Sequence, residues 1–334
     1  MSSIAVIGAG SWGTALAVSL AGVGHSVKLW AFEPAVVESI RDHRENRIFL
    51  PGIFLADRIT PTNNLAEALE GAQFVVNVVP SHVCRSVYEL MLPNLRPDMI
   101  LVSATKGLDV DRLMRMSEVI RSVTEPRFFP RLAILSGPSF AQEVARGDPT
   151  AVVVASSDAE AAQAVQDEFS SGSLRIYSSV DVVGVEIGGA VKNVIAIAAG
   201  VIEGLGLGHN PMAALITRGL AEIARLAISC GARGETLAGL AGMGDLVLTC
   251  TGNLSRNRSV GVELGKGRRL SEIIGSMRMI AEGVKTTSAT VALAGVHGVE
   301  MPITQQVHRI LEGKTAPRDA IRELMDRTLK TEGQ

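Results

Sequence analysis

Along the first half of the chain, apolar residues come in short unbroken runs rather than in alternation with polar ones. Residues 4–7, 27–30, 74–79, 100–104, 132–135 and 151–155 are each apolar almost throughout. Such runs are expected of strands covered by helices on both faces. Helix-like stretches lie between them at 14–21, 34–41 and 65–69. This alternation predicts an α/β region built on a doubly wound, mostly parallel sheet.

The pattern changes near residue 180. Strand-like runs stop, and long segments rich in Ala, Leu, Ile and Glu take over, such as 212–230 and 288–297. The second half therefore reads as all-helical, with domains expected at 1–180 and 181–330. The most apolar stretch, 182–205, is long enough to span a membrane. However, Glu186, Lys192, Asn193 and Glu203 interrupt it, at a high cost in hydrocarbon. It is expected to be a buried helix, with no membrane span.

Composition narrows the partners. Apolar residues make up 47% and charged residues 20%, and the formal net charge is −2. A nucleic-acid binder would carry a clear basic excess, so none is expected. The three cysteines, Cys84, Cys230 and Cys250, are too few and scattered for a disulfide framework. They and the six histidines show no metal-ligand spacing. A reduced, cytoplasmic setting fits, and the N-terminus has no signal-peptide pattern.

Chemistry enters at the end of the first strand, where Gly8, Gly10 and Gly13 form G-x-G-x-x-G before a helix. The glycines serve a tight turn, close backbone approach to a pyrophosphate, and close helix–strand packing. The helix N-terminus offers N–H groups and a positive dipole end to the anion. In this strand-before, helix-after context the motif predicts a Rossmann-type site for NAD(H) or NADP(H). After the second strand come Phe32 and Glu33. A carboxylate at that strand end favours NAD and a basic residue NADP. Glu33 lies some positions late, and a solvated turn acid describes it as well, so coenzyme preference stays open.

Four later segments carry further candidates. Lys106 in Ser-Ala-Thr-Lys-Gly follows a strand and so sits at the carboxyl edge of the sheet, where ligands bind in open α/β folds. Gly137 and Ser139 follow another strand in a rigid-looking turn. Lys192 lies in a helix otherwise suited to burial, on one face with Gly189, Asn193 and Ala196. Burial would lower its pKa and make it an acid–base group near neutrality. Alternatively it snorkels or pairs with Glu186, and this segment alone does not decide. Asp245 lies in a glycine-rich stretch, either orienting a lysine or capping a helix. Ser255, Arg256, Asn257 and Arg258 resemble a helix start suited to a phosphate dianion, or else a solvated basic turn.

Taken together, these segments resemble bacterial-type NAD(P)-dependent glycerol-3-phosphate dehydrogenases over essentially the whole length. The matching stretches are VIGAGSWGTALA, ATKGL, SGPSFAQEV, GGAVKNVIAIAAG, ALITRGLAEI, GLAGMGDLVLTCT, SRNRSVG and EGVKT. The resemblance implies a Rossmann-type domain followed by a helical substrate domain like the C-terminal domain of 6-phosphogluconate dehydrogenase, usually as a homodimer. It implies coenzyme contacts at Ser11, Trp12, Phe32, Lys106, Ala141, Arg256, Ile280 and Glu282, beside the glycines. Substrate contacts fall on Lys106, Gly137, Ser139, Lys192, Asp245, Ser255, Arg256 and Asn257. Lys192 matches the proton donor and acceptor, assisted by Lys106 and Asp245. The implied substrate is a phosphorylated triose, the implied product a phospholipid precursor. Related sequences often carry His or Arg near Phe32, so Phe32-Glu33 weakens the case for strict NADP use.

Two other readings remain. A dehydrogenase of another small hydroxy acid would share the plan without needing the Ser255–Arg258 cluster. A dinucleotide-holding redox sensor would have no need of Lys106, Lys192 and Asp245 together.

Overall fold

The computed structural model describes residues 1–276, 281–329 and 331. Its strands are β1 (Ser3–Ile7), β2 (Ser26–Trp30), β3 (Ile59–Thr62), β4 (Phe74–Asn77), β5 (Ile100–Ser103), β6 (Leu108–Asp109), β7 (Met114–Arg115), β8 (Arg131–Ser136), β9 (Thr150–Ala155) and β10 (Leu174–Ser179). Eight of them form one sheet in the order β10-β9-β8-β5-β4-β1-β2-β3, while β6 and β7 make a separate small hairpin. Neighbours in the large sheet are parallel except β8 and β9. The sheet is thus mostly parallel, as the apolar runs predict.

The continuous runs are the central strands, and they are buried on both faces. One face carries a core including Ile4, Val6, Leu16, Val76 and Val102. The other carries Ile7, Val75, Tyr88, Leu101 and Ile120. The chain order reverses between β1 and β4, so a crevice opens above their carboxyl ends, where such sheets bind ligands.

Two strands absent from the sequence reading are the two edges. β3 contains Pro61, which has no N–H to donate and is tolerated only where no further strand must be paired. β10 alternates buried and exposed positions over its first four residues, as befits a strand half open to solvent.

After Ser179 all regular elements among the described residues are helical. The helix Val182–Gly204 runs through the middle of this half, within a core of Val194, Ile195, Ile223, Leu246 and Val260. Its most apolar 18-residue window is 94% buried inside the protein. The apolarity that resembles a membrane span therefore comes from being surrounded by other helices. Against it packs the helix Arg256–Gly265, backbone to backbone. A Cβ on Gly200 would lie 2.0 Å from the carbonyl oxygen of Arg258, and one on Gly261 2.0 Å from that of Ile197. This contact sets Arg256 and Asn257, in the first turn of one helix, beside Lys192 and Asn193 in the other.

Candidate active site

A cleft of about 1310 Å³ crosses the carboxyl edge of the sheet and is closed by the helical half. Its floor begins at the glycine loop. Gly8 has φ +116°, and a Cβ on Gly13 would lie 1.8 Å from the carbonyl oxygen of Gly8. Only glycine permits this closeness, which lets the helix Ser11–Val23 start directly over β1. No side chain caps that helix, and its start presents a positive dipole end to an anion. The Ser11 hydroxyl donates to the Phe49 carbonyl at 2.7 Å and Asn46 Nδ2 to the Ala9 carbonyl at 2.8 Å, fastening the loop of Phe49, Leu50 and Pro51 to the cradle. The groups present fit a dinucleotide pyrophosphate.

Toward β2 and β3 the cleft is lined by Trp30, Phe32, Glu33, Asn63 and Asn64. The Phe32 ring is 78% exposed and stands edge-on to Trp30, with ring centroids 6.4 Å apart. In the other direction, beyond β4 and β5, the cations gather.

Lys106 leaves the end of β5 and donates to the Gly137 carbonyl at 2.9 Å and to Asp245 Oδ2 at 2.8 Å. The Ser139 hydroxyl donates to the same Gly137 carbonyl at 3.0 Å. Lys192 donates to Asp245 Oδ1 and, at 2.8 Å, to the Thr249 hydroxyl. The Thr249 hydroxyl in turn donates to the Asp245 carbonyl at 2.6 Å, which turns its lone pairs to the lysine. Each ammonium has three N–H donors, so each keeps one beyond the two bonds named.

Burial is the largest influence on Lys192 and lowers its pKa. Asp245 opposes this and Lys106 adds to it, leaving the group at about 8. Glu282, at the start of the helix Glu282–Val296, is raised by burial to about 7, while Arg256 and the Ser81 N–H hold it down. The thiol of Cys250 is pushed up to about 12 by burial. It is fully buried in the helical core and packs there.

Asp245 is only 1% exposed and, like Gly137, lies behind the cleft wall rather than in it. A short π-helical turn, Leu240–Gly244, delivers it to the start of the helix Asp245–Thr251, and such turns recur at functional sites. The pairing of Lys192 with Glu186, one of the alternatives from sequence, does not occur. Glu186 instead receives Arg115 at 2.8 Å and the Ser117 N–H at 2.7 Å.

The expected phosphate cluster divides. Ser255, Arg256 and Asn257 line the cleft. Ser255 also caps its helix, accepting from the Arg258 N–H at 3.2 Å, and Asn257 Oδ1 accepts from the Gly283 N–H at 2.9 Å. Arg258 turns away to Glu203 at 2.5 Å and Asn253 at 3.2 Å. Gly8, Gly10, Ser11, Trp12, Gly13, Phe32, Lys106, Ser139, Ala141, Lys192 and Glu282 also line the cleft. Ile280 falls outside the described residues.

Thr249 was missed from sequence. Its spacing of four from Asp245 puts both on one helix face, and that was the available signal. Asn63, Asn64 and the Val79-Pro80 turn also line the cleft but carry no motif.

A dinucleotide cradle, a buried lysine of lowered pKa and a cationic far end under one roof define a nicotinamide-dependent oxidoreductase. Comparison with known proteins narrows the class. Two family profiles match, described as NAD-dependent glycerol-3-phosphate dehydrogenase N-terminus over residues 3–162 and C-terminus over residues 181–322. The chain is 60% identical to the glycerol-3-phosphate dehydrogenase [NAD(P)+] of Koribacter versatilis, covering 99% of both chains. It is 57% identical to that of Citrifermentans bemidjiense, over 99% of this chain and 98% of the other. The crystal structure of glycerol-3-phosphate dehydrogenase from Coxiella burnetii superposes with a TM-score of 0.94 at 41% identity, over 98% of this chain and 99% of that one. The chain belongs to the NAD-dependent glycerol-3-phosphate dehydrogenase family.

Proposed function

We infer that the protein interconverts dihydroxyacetone phosphate and sn-glycerol 3-phosphate with NAD(P)(H). In the reducing direction it supplies a phospholipid precursor. The observation that carries this reading is the pair of lysines shared by Asp245, set in one cleft with the glycine cradle and Arg256.

Gly8, Gly10 and Gly13 hold the coenzyme pyrophosphate through the first turn of their helix, with Ser11, Trp12, Phe32, Ala141, Ile280 and Glu282 as further coenzyme positions. When bound, the coenzyme supplies or accepts the hydride. Arg256, Asn257 and Ser255 bind the substrate phosphate, Arg256 with charge-assisted bonds. Ser139 completes the pocket, and the Gly137 carbonyl behind it holds Lys106 and Ser139 in place. Lys192 directs its remaining N–H at the carbonyl oxygen and stabilises the charge that grows there. It delivers a proton to that oxygen in reduction and recovers one from the hydroxyl in oxidation. Lys106 adds positive field, and Asp245 keeps the two ammonium groups from repelling one another out of place.

The test is a coenzyme-oxidation assay with dihydroxyacetone phosphate, with unphosphorylated dihydroxyacetone as control. Rapid oxidation with the phosphate ester, and only a low rate with the control, is expected. A folded, coenzyme-binding sample that oxidises nothing would overturn the substrate. Domain limits of 1–180 and 181–330, a homodimer and a cytoplasmic setting belong to the same proposal. The first agrees with the end of β10 at Ser179 and the helix start at Val182. The dimer rests on the family, and a light-scattering mass of one subunit would remove it. The setting agrees with three free thiols.

A further inference from the structure

Three glycines in six residues, Gly8, Gly10 and Gly13, leave the turn with little stiffness of its own, because glycine has the most conformational freedom to lose. Gly10, the N-cap of the helix Ser11–Val23, has no side chain with which to brace the first turn. The brace comes from outside the motif. Asn46, in the loop after the helix Pro34–His43, is fully buried. Its Nδ2 donates to the Ala9 carbonyl and to the Thr14 hydroxyl, each at 2.8 Å. The Thr14 hydroxyl donates in turn to the same Ala9 carbonyl at 3.2 Å. Ala9 precedes the N-cap and Thr14 is the fourth residue of the helix, so one amide clasps the first turn from both ends. Its Oδ1 accepts from the Phe49 N–H at 3.0 Å. A carbonyl at one end of the amide and an N–H at the other fix which way it faces. Neither Asn46 nor Thr14 lines the cleft, whereas Gly10, Ser11, Trp12 and Gly13 do.

We propose that Asn46 is a positioning residue for coenzyme binding, holding the glycine turn in the shape that receives the pyrophosphate. The C=O and N–H of a planar trans peptide point to opposite sides. Asn46 and Thr14 draw the Ala9 carbonyl inward, which turns the Gly10 N–H outward. The space over Gly10 is open, since a Cβ there would meet nothing within 4 Å. A turn already fixed in its binding shape loses less freedom when the anion arrives, so the clasp adds affinity by preorganisation. Asn46 acts through the backbone and touches neither ligand, so its effect falls on coenzyme binding and not on hydride or proton transfer. The inference rests on the reading of the cleft as a coenzyme site, but not on the identity of the substrate.

The two tryptophans of the chain, Trp12 and Trp30, both line the cleft, so quenching of intrinsic fluorescence reports coenzyme binding without any substrate. Displacement of NADH then reports competitors. Asn46→Ala removes the clasp and Thr14→Val loosens it, and a melt of each full-length variant checks that it is folded. In Asn46→Ala the Kd of NADH, and that of ADP with its pyrophosphate, should rise by about tenfold, equivalent to about 1.4 kcal/mol. The Kd of adenosine, which has no phosphate, should hardly change. Thr14→Val should show a smaller rise of the same pattern, and the double variant should lose less than the sum of the two. At saturating NADH, kcat and the KM for dihydroxyacetone phosphate should stay those of the wild type. Unchanged ADP affinity in the folded variants would overturn the proposal. Equal weakening of ADP and adenosine would also overturn it, because Asn46 would then support the fold at large. So would a fall in kcat with the Kd values kept. If Asn46→Ala does not fold, Thr14→Val decides by the same comparison. If NADH does not quench the wild type, the coenzyme reading of the cleft falls and this inference with it. If NADH binds but dihydroxyacetone phosphate is not reduced, only the substrate assignment falls, and the Kd values still decide the role of Asn46.

Discussion

Lys106 and Asp245, 139 positions apart in the chain, meet in a 2.8 Å ion pair that joins the end of the sheet to the helical half. The other oxygen of the same carboxylate holds Lys192. Asp245→Asn leaves two crowded ammonium groups facing a neutral amide. Breaking a buried pair by removing one partner costs about 3–5 kcal/mol, which a denaturant melt would measure. Misplacing the reacting groups should also lower kcat by about 10²-fold. A variant of wild-type stability and rate would show that the carboxylate is dispensable.

The same contacts fix the pH dependence and its sign. Lys192 loses its proton at about 8 because burial and Lys106 disfavour the charged form while Asp245 favours it. Reduction needs the ammonium, so its rate should fall as pH rises through that value. Oxidation needs the free amine and should rise over the same range. Replacing Asp245 by Asn should move the limb to lower pH, and replacing Lys106 by Met should move it to higher pH. Profiles of kcat/KM report the free enzyme and are the ones to compare. Two shifts in the same direction would contradict the arrangement. Lys192→Ala should lose about 10²–10⁴-fold in kcat with coenzyme binding kept, the usual worth of acid–base help.

Much of this site was legible because its residues sit in places that sequence marks. Gly8, Gly10 and Gly13 fall between an apolar run and a helix, and Lys106 follows another apolar run. Lys192 is conspicuous as a charge within a buried helix. Partnership was legible only through the family resemblance, which sets Lys106 and Asp245 with Lys192. Glu186 and Lys192 lie six apart on one helix, a spacing that does not bring them together, whereas the meeting of Lys192 with Asp245 depends on how helices distant in sequence pack. The same holds for Arg258, whose neighbour Arg256 lines the cleft while it turns to Glu203. In the sheet, continuous apolar runs revealed the central strands, whereas β3 with Pro61 and the half-exposed β10 are edges whose pattern reflects solvent as much as core.

Gly13→Ala tests the cradle apart from the chemistry. The added methyl would lie 1.8 Å from the Gly8 carbonyl oxygen, an overlap relieved only by moving the helix or the loop. The N–H groups at the helix start would then leave the pyrophosphate. Coenzyme Kd should rise by about 10²-fold, equivalent to ~2.8 kcal/mol. Overpacking costs a further ~1–3 kcal/mol of stability. Tight binding by a folded variant would show that the turn is not held by this contact.

Arg256 separates phosphate recognition from proton transfer. It stands in the first turn of the helix Arg256–Gly265, which the backbone contact at Gly200 and Gly261 fixes beside the lysines. Charge-assisted bonds contribute about 1.5–3 kcal/mol, so Arg256→Ala should raise KM for dihydroxyacetone phosphate by roughly ten- to a hundredfold. Since Arg256 also lies close enough to hold down the pKa of Glu282, coenzyme binding should weaken as well, by a smaller factor. Unphosphorylated dihydroxyacetone is the control, because it has no dianion to lose. Its kcat/KM, although low, should change far less on the same substitution. Equal losses for the two ketones would mean that Arg256 acts on the reacting carbonyl or the coenzyme rather than on the phosphate.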